Sequence, residues 1–127
     1  MVLDAWAVLA LLRGEPAGAR VEQAVATGRG VASWVNLGEV FYKEVRKVGE
    51  MRARGALSQV LANIRSEEPD RDLVLAAASI KVAGGLSYAD CFALATAARH
   101  RAPLLTGDPE IIANAGDVEV VDLRSAA

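Results

Sequence analysis

The sequence predicts an α/β fold with a central parallel sheet. Short runs of β-forming residues alternate with longer helical runs along the whole chain, as strand–helix–strand units do. No repeat, low-complexity block or Pro/Gly/Ser-rich linker divides the 127 residues, so we expect a single domain over residues 1–127. Hydrophobic residues make up 53% of the chain, which is enough to form a core and excludes a disordered protein.

The N-terminal half is predicted to hold two strands and four helices. The first strand ends at an aspartate, and the helix after it is apolar on every side, as a buried helix would be. A Gly-Glu-Pro break follows, and Pro16 suits the first turn of a second helix. The predicted elements are a strand at 2–3, helices at 5–12 and 16–27, a strand at 30–35, and helices at 36–48 and 52–65.

The C-terminal half is predicted to continue the alternation. A loop at 66–69, with room for a very short strand, leads into a helix that the Gly84-Gly85 pair ends. The predicted elements after that loop are helices at 70–83 and 87–100, a central strand at 103–105, a short helix at 109–113 and an edge strand at 118–121.

Charge and cysteine content exclude several classes of function. The formal net charge is −2, so nucleic acid would have to bind a local basic patch. A single cysteine, Cys91, excludes a disulfide framework and a Cys-rich zinc site, and indicates a reducing compartment. The first residues lack a signal-peptide pattern, and the apolar run at 5–12 is too short to span a bilayer. We therefore expect a cytoplasmic protein without membrane contact.

Four acidic residues lie where helices are expected to begin, namely Asp4, Glu39, Asp90 and Asp108. Asp4 and Asp108 directly precede helices, and Pro109 is a favoured first helical residue. Glu39 lies three residues after Asn36, and Asp90 lies three after a serine, which is capping-box spacing. Each acid alone could simply cap its helix, an interaction worth ~1 kcal/mol.

Sheet topology predicts that the four acids meet. A helix that follows a parallel strand starts at the carboxyl ends of the strands, and ligands bind at that edge. The helix at 87–100 leads into the last central strand through a short loop, so it starts at the same edge and brings Asp90 there. Four anions would repel one another unless a cation offset them. Because the site has no cluster of His or Cys, Mg²⁺ or Mn²⁺ is the expected ion.

Four segments carry a recognisable pattern: VLDAWAVL at 2–9, NLGEV at 36–40, LSYADC at 86–91 and LLTGDPE at 104–110. In order and spacing they resemble the PIN-domain family, and in particular its toxin branch, virulence-associated protein C (VapC). The resemblance covers essentially the whole chain. It implies a three-layer α/β/α sandwich, Mg²⁺- or Mn²⁺-dependent cleavage of RNA, and a VapB-type antitoxin partner that blocks the site.

The resemblance also implies roles for individual residues. It places the acidic quartet at Asp4, Glu39, Asp90 and Asp108, and the site hydroxyl at Thr106. We expect Asp4, Asp90 and Asp108 to hold the metal, and Glu39 to bind it through water or to accept a proton. Many relatives carry Thr or Ser directly after the first aspartate, where this chain has Ala5.

The residues around the quartet are interpreted from their positions on the predicted helices. Lys43 and Arg46 share the helix face of Glu39. They would either attract RNA to the site or only form part of a solvent-exposed helix face. Arg13 is expected at the surface, and Glu110 is expected to be a first-turn helix residue rather than a further site acid. The apolar first helix and the apolar residues of the second, Val21, Ala24 and Val25, predict a groove for an antitoxin segment and a homodimer contact.

Other functions remain open on the sequence alone. An aspartyl phosphotransfer enzyme would need a second acid at position 6, where Trp6 stands, and a receiver domain would need an early acidic pair and a late lysine. A PIN nuclease in RNA processing outside any toxin–antitoxin pair fits the same residues. A non-catalytic binding module with this fold is the remaining alternative, which the intact quartet argues against.

Overall fold

Five parallel strands form one sheet in the computed structural model, which describes residues 1–125. Their spatial order is β3-β2-β1-β4-β5, so β1 lies in the centre between β2 and β4. The strands are β1 (Val2–Leu3), β2 (Val31–Ser33), β3 (Arg65–Glu67), β4 (Leu104–Thr106) and β5 (Val120–Asp122).

Seven α-helices within residues 1–125 connect and cover the strands. They are α1 (Ala5–Leu12), α2 (Gly18–Ala26), α3 (Trp34–Val48), α4 (Glu50–Leu61), α5 (Arg71–Val82), α6 (Tyr88–His100) and α7 (Pro109–Ala113), with a 3₁₀ turn at Leu123–Ser125. The predicted alternation of strands and helices is confirmed. The very short strand for which the loop at 66–69 left room is β3, and it begins one residue earlier.

The sheet lies between two layers of helices, which confirms the three-layer α/β/α sandwich. Neighbouring residues of a strand point to opposite faces. Leu3 and Leu105 pack into a core with α1, α2, α3 and α4, whereas Val2 and Leu104 pack into a second core with α5, α6 and α7. Both central strands are therefore buried on both faces, as in other parallel sheets.

Three helices begin at the carboxyl ends of the strands, as predicted. The side chain of Asp4 caps α1 by accepting from the Ala7 N–H at 2.9 Å, and that of Asp108 caps α7 by accepting from the Glu110 N–H at 2.9 Å. Ser87 caps α6 by accepting from the Asp90 N–H at 3.2 Å. The sheet edge and three helix starts thus bring the acids into one region.

The start of α3 differs from the prediction. The helix begins at Trp34 rather than Asn36, because Ser33 ends β2 in an extended conformation and accepts from the Val35 N–H at 3.3 Å. The predicted capping box of Asn36 and Glu39 was therefore wrong, and Glu39 lies in the second turn. Asn36 is buried in the first turn, where its Nδ2 donates to the Ala89 carbonyl at 3.0 Å.

Two further observations concern apolar residues. Val21 and Val25 are buried in the core, so they supply little of the surplus apolar surface that the sequence suggested. Within residues 1–125, no helix is both long enough and apolar enough to cross a membrane.

Candidate active site

Asp4 is a buried carboxylate with both oxygens hydrogen-bonded. It follows β1 directly and is 2% exposed. Its Oδ1 accepts from the Ala7 N–H, and its Oδ2 accepts from the hydroxyl of Thr106 at the end of β4. The Thr106 oxygen in turn accepts from the Asp108 N–H at 3.0 Å. Thr106 therefore links Asp4 and Asp108 across two neighbouring strands.

Burial and mutual repulsion raise the pKa of two of the acids. The pKa of Asp4 is raised to about 7, chiefly by burial; the hydrogen bonds from Thr106 and Ala7 oppose the increase, and the charges of Asp90 and Asp108 contribute to it. Burial also raises the pKa of Asp90, the hydrogen bond with Ser87 opposes this, and the charges of Asp108 and Glu39 add to the increase. The acids are thus close enough to disfavour one another's charged forms.

Three carboxylates converge most closely, those of Asp90, Asp108 and Glu110. One oxygen from each lies within 4.8 Å of the others. Asp90 lies in the first turn of α6, and Asp108 and Glu110 lie at the start of α7. Glu110 was expected to be a first-turn helix residue, and the structure also places its carboxylate beside those of Asp90 and Asp108. The sequence contains one signal for this proximity, because Glu110 lies two residues after Asp108 at the start of the same helix.

All four acids predicted from the sequence line one cavity of about 210 Å³. Glu39 reaches it from the second turn of α3, where its Oε2 accepts from the Lys43 Nζ at 2.8 Å. The residues that line the cavity are Asp4, Ala5, Trp6, Leu9, Arg13, Glu15, Glu39, Lys43, Asp90 and Asp108. The cavity is therefore strongly acidic, with two cationic side chains at its wall.

Trp6 forms one wall of the cavity and lies against the backbone between Thr106 and Asp108. A Cβ atom added to Gly107 would lie 2.3 Å from the indole Cζ2, a distance that no side chain tolerates. Glycine at position 107 therefore allows the backbone after β4 to pack directly against the Trp6 indole. The close packing fixes Asp108 relative to α1.

Comparison with known proteins identifies the family. The family model of the PIN domain matches residues 1–117. The chain belongs to the PIN-domain family. No curated protein sequence matches it significantly.

Solved structures share the fold of this PIN domain at low sequence identity. A toxin–antitoxin complex from Klebsiella pneumoniae is 23% identical, with a TM-score of 0.71 and 96% of each chain covered. Mycobacterium tuberculosis VapC20, described as a sarcin-ricin loop cleaving toxin, is 23% identical, with a TM-score of 0.76 and coverage of 94% of this chain and 97% of the other. DNA-bound VapBC from Salmonella typhimurium is 13% identical, with a TM-score of 0.80 and 96% of each chain covered.

The donor set of this PIN domain fits a hard divalent cation. Among residues 1–125, the group that could offer three or more ligands consists of the carboxylates of Asp90, Asp108 and Glu110. Such oxygen ligands suit Mg²⁺ and Mn²⁺ better than Zn²⁺. His100 is not part of the group, since its Nε2 lies 2.5 Å from Glu67 Oε2. Burial is the main cause of the raised pKa of Asp4 and Asp90, and the mutual repulsion that adds to it is what a bound cation would offset.

The basic residues of this PIN domain are arranged differently from the prediction. Lys43 lines the cavity as expected, but Arg46 does not, and its guanidinium lies 5.1 Å from the centre of the Tyr42 ring. Arg13, which was expected only at the surface, lines the cavity, and its Nε donates to Glu44 Oε1 at 2.9 Å. Because Arg13 and Glu44 lie 31 residues apart, sequence periodicity carries no signal for this pair.

Proposed function

We propose that this PIN domain is a metal-dependent endoribonuclease that hydrolyses RNA phosphodiester bonds. The observation that carries the proposal is the convergence of the Asp90, Asp108 and Glu110 carboxylates within 4.8 Å. They lie beside a cavity that Asp4 and Glu39 also line. Membership of the PIN-domain family supports the same conclusion.

In this proposal Asp90 and Asp108 hold Mg²⁺ or Mn²⁺, with Asp4 as a third ligand and Glu110 as a further acid. When bound, such an ion lowers the pKa of water and neutralises charge on the phosphate. Thr106 stabilises the charged form of Asp4 and fixes its orientation, since its hydroxyl donates to that carboxylate. Glu39 is oriented by Lys43 and is the residue we propose to accept a proton from the attacking water.

We further propose that the protein is the toxin of a type II toxin–antitoxin (VapBC) pair in the cytoplasm, with residues 1–127 as one domain. Its fold is shared with chains from two toxin–antitoxin complexes. Another cavity of about 460 Å³ lies between α1, α2 and α4, with Leu11 and Leu12 as half-buried apolar residues; its lining consists of Leu11, Leu12, Glu22, Val25, Ala26, Gln59, Val60 and Asn63. We propose this cavity as the groove for a segment of a VapB-type antitoxin, and a homodimer as the functional assembly.

The test is cleavage of a labelled RNA by the purified protein in Mg²⁺, in Mn²⁺ and in EDTA. We expect cleavage in the presence of either ion and none in EDTA. Full activity in EDTA would contradict the metal mechanism, and RNA binding without cleavage would favour a non-catalytic module. Co-purification with the product of the neighbouring gene would support the antitoxin, whereas an active nuclease without such a partner would favour a role in RNA processing.

A further inference from the structure

We propose that Arg13 binds a phosphate group of the substrate at the wall of the acidic cavity, and that the buried Glu44 positions it. This inference rests on the proposed ribonuclease function. It assigns the substrate contact to a residue outside the acidic quartet.

Arg13 is held from one side only. It follows α1 directly and lines the same cavity as Asp4, Asp90 and Asp108. Its Nε donates to Glu44 Oε1 at 2.9 Å, and the Arg13 side chain is 25% exposed whereas that of Glu44 is 8% exposed. Among residues 1–125, its two terminal nitrogens have no hydrogen-bond partner. The guanidinium therefore keeps those donors for another group.

Glu44 does not compete with substrate for those donors. It lies on α3, is buried, and is not among the residues that line the cavity. Burial of an unpaired carboxylate is strongly unfavourable, so the pair keeps Arg13 in one place. A guanidinium fixed through Nε presents its two remaining nitrogens as a fork, which matches two oxygens of a phosphate.

Lys43, the other cation at the cavity wall, is placed less well for this role. Its Nζ lies 2.8 Å from Glu39 Oε2, and Glu39 itself lines the cavity. Lys43 therefore already neutralises one of the site's own acids. A polyanionic substrate that enters an acidic cavity needs a positive group whose partner lies outside it, and Arg13 is that group.

The alternative is that the pair only ties α1 to α3. To separate the two roles, kcat and KM for an RNA oligonucleotide in Mn²⁺ are measured over a range of KCl concentrations. The variants are Glu44→Gln and the double variant Arg13→Gln/Glu44→Gln, which leaves no buried charge unpaired and so keeps the fold. The control is Arg71→Gln, which removes an exposed arginine on α5 in the opposite helix layer.

We expect the double variant to raise KM by roughly 10- to 100-fold, the size of a lost charge-assisted contact, with a smaller effect on kcat. The slope of log(kcat/KM) against log[KCl] should become shallower by about 0.7, the value for one contact to a single-strand phosphate. Glu44→Gln should raise KM several-fold with an unchanged slope, because the charge stays while its position is lost. Arg71→Gln should change neither quantity.

Two results would overturn the inference, and only one of them would also overturn the ribonuclease proposal. If wild type cleaves RNA and the double variant has the same KM and salt slope, Arg13 is not a substrate contact and the ribonuclease proposal stands. If wild type does not cleave RNA in Mn²⁺, both proposals fail together.

Discussion

The hydroxyl of Thr106 donates to the carboxylate of Asp4 and joins the ends of two neighbouring central strands. The same oxygen accepts from the Asp108 N–H at 3.0 Å. One side chain thus orients a buried acid and fixes the backbone of a second. The geometry of the acidic cavity depends on this link.

Replacement of Thr106 by Val removes the hydroxyl at nearly constant volume. We expect a loss of about 1–3 kcal/mol in the free energy of unfolding, because the buried Asp4 carboxylate and the part-buried Asp108 N–H each lose a partner. The loss should be larger at pH 8 than at pH 5, since the hydroxyl stabilises the charged form of Asp4. Urea unfolding in EDTA measures both values. Thr106→Ser, which keeps the hydroxyl, is the control, and equal losses for the two variants would contradict the assignment.

The metal-free protein should lose stability as the pH rises through neutrality. Asp4 has a pKa of about 7 in the folded protein and an ordinary value of 3.8. Below about pH 4 the group is protonated in both states, so this contribution to stability is fully present. Between about pH 4 and pH 7 the unfolded chain has released a proton that the folded state retains, so stability falls by up to about 4 kcal/mol as the pH rises through the folded pKa and then levels off.

Asp4→Asn should remove that part of the pH dependence. The variant keeps a side-chain oxygen for the Ala7 N–H, so its helix cap is retained. Urea unfolding of both proteins in EDTA, from pH 4.5 to pH 8.5, gives the two curves. We expect the variant to be the more stable protein at pH 8.5. Parallel curves would show that Asp4 titrates in the folded state as it does in the unfolded one.

Gly107→Ala should damage the site through Trp6. The new methyl group would lie 2.3 Å from the indole, so the ring or the β4 end must move. We expect a loss of about 1–3 kcal/mol, the usual cost of overpacking, together with reduced RNA cleavage because Asp108 shifts. Gly55→Ala on α4 is the matched control, since nothing lies within 4 Å of the added Cβ. That control should gain up to about 1 kcal/mol from helix propensity. A stable, fully active Gly107→Ala protein would refute the contact.

Much of the site could be predicted because it lies at the ends of regular elements. Asp4 and Asp108 follow central strands and cap helices, and both roles leave local signals in the sequence. Asp90 was located by the serine three residues before it, and Ser87 does cap that helix. The direction of each strand and helix was then enough to place these acids at one edge of the sheet.

The errors have local or tertiary causes. Trp34 and Val35 are β-forming residues, so the sequence extended β2 over them, but Ser33 caps the helix earlier. Glu39 reaches the cavity although the capping argument for it was wrong. Contacts such as Arg13–Glu44 depend on how two helices pack, and neither residue's neighbours in the sequence encode that.

Asp90→Asn tests most directly whether the acids hold a catalytic metal or merely cap helices. RNA cleavage in Mn²⁺ is measured beside thermal melting in EDTA. The control is Asp72→Asn, which changes an exposed first-turn acid of α5 that does not line the cavity. We expect Asp90→Asn to lower cleavage by more than about 100-fold, beyond the loss typical of residues that only support a metal ligand. Its melting temperature should stay the same or rise, because one charge leaves a crowded acidic site. Asp72→Asn should remain active. An Asp90→Asn protein that cleaves RNA at the wild-type rate would show that Asp90 holds no catalytic metal.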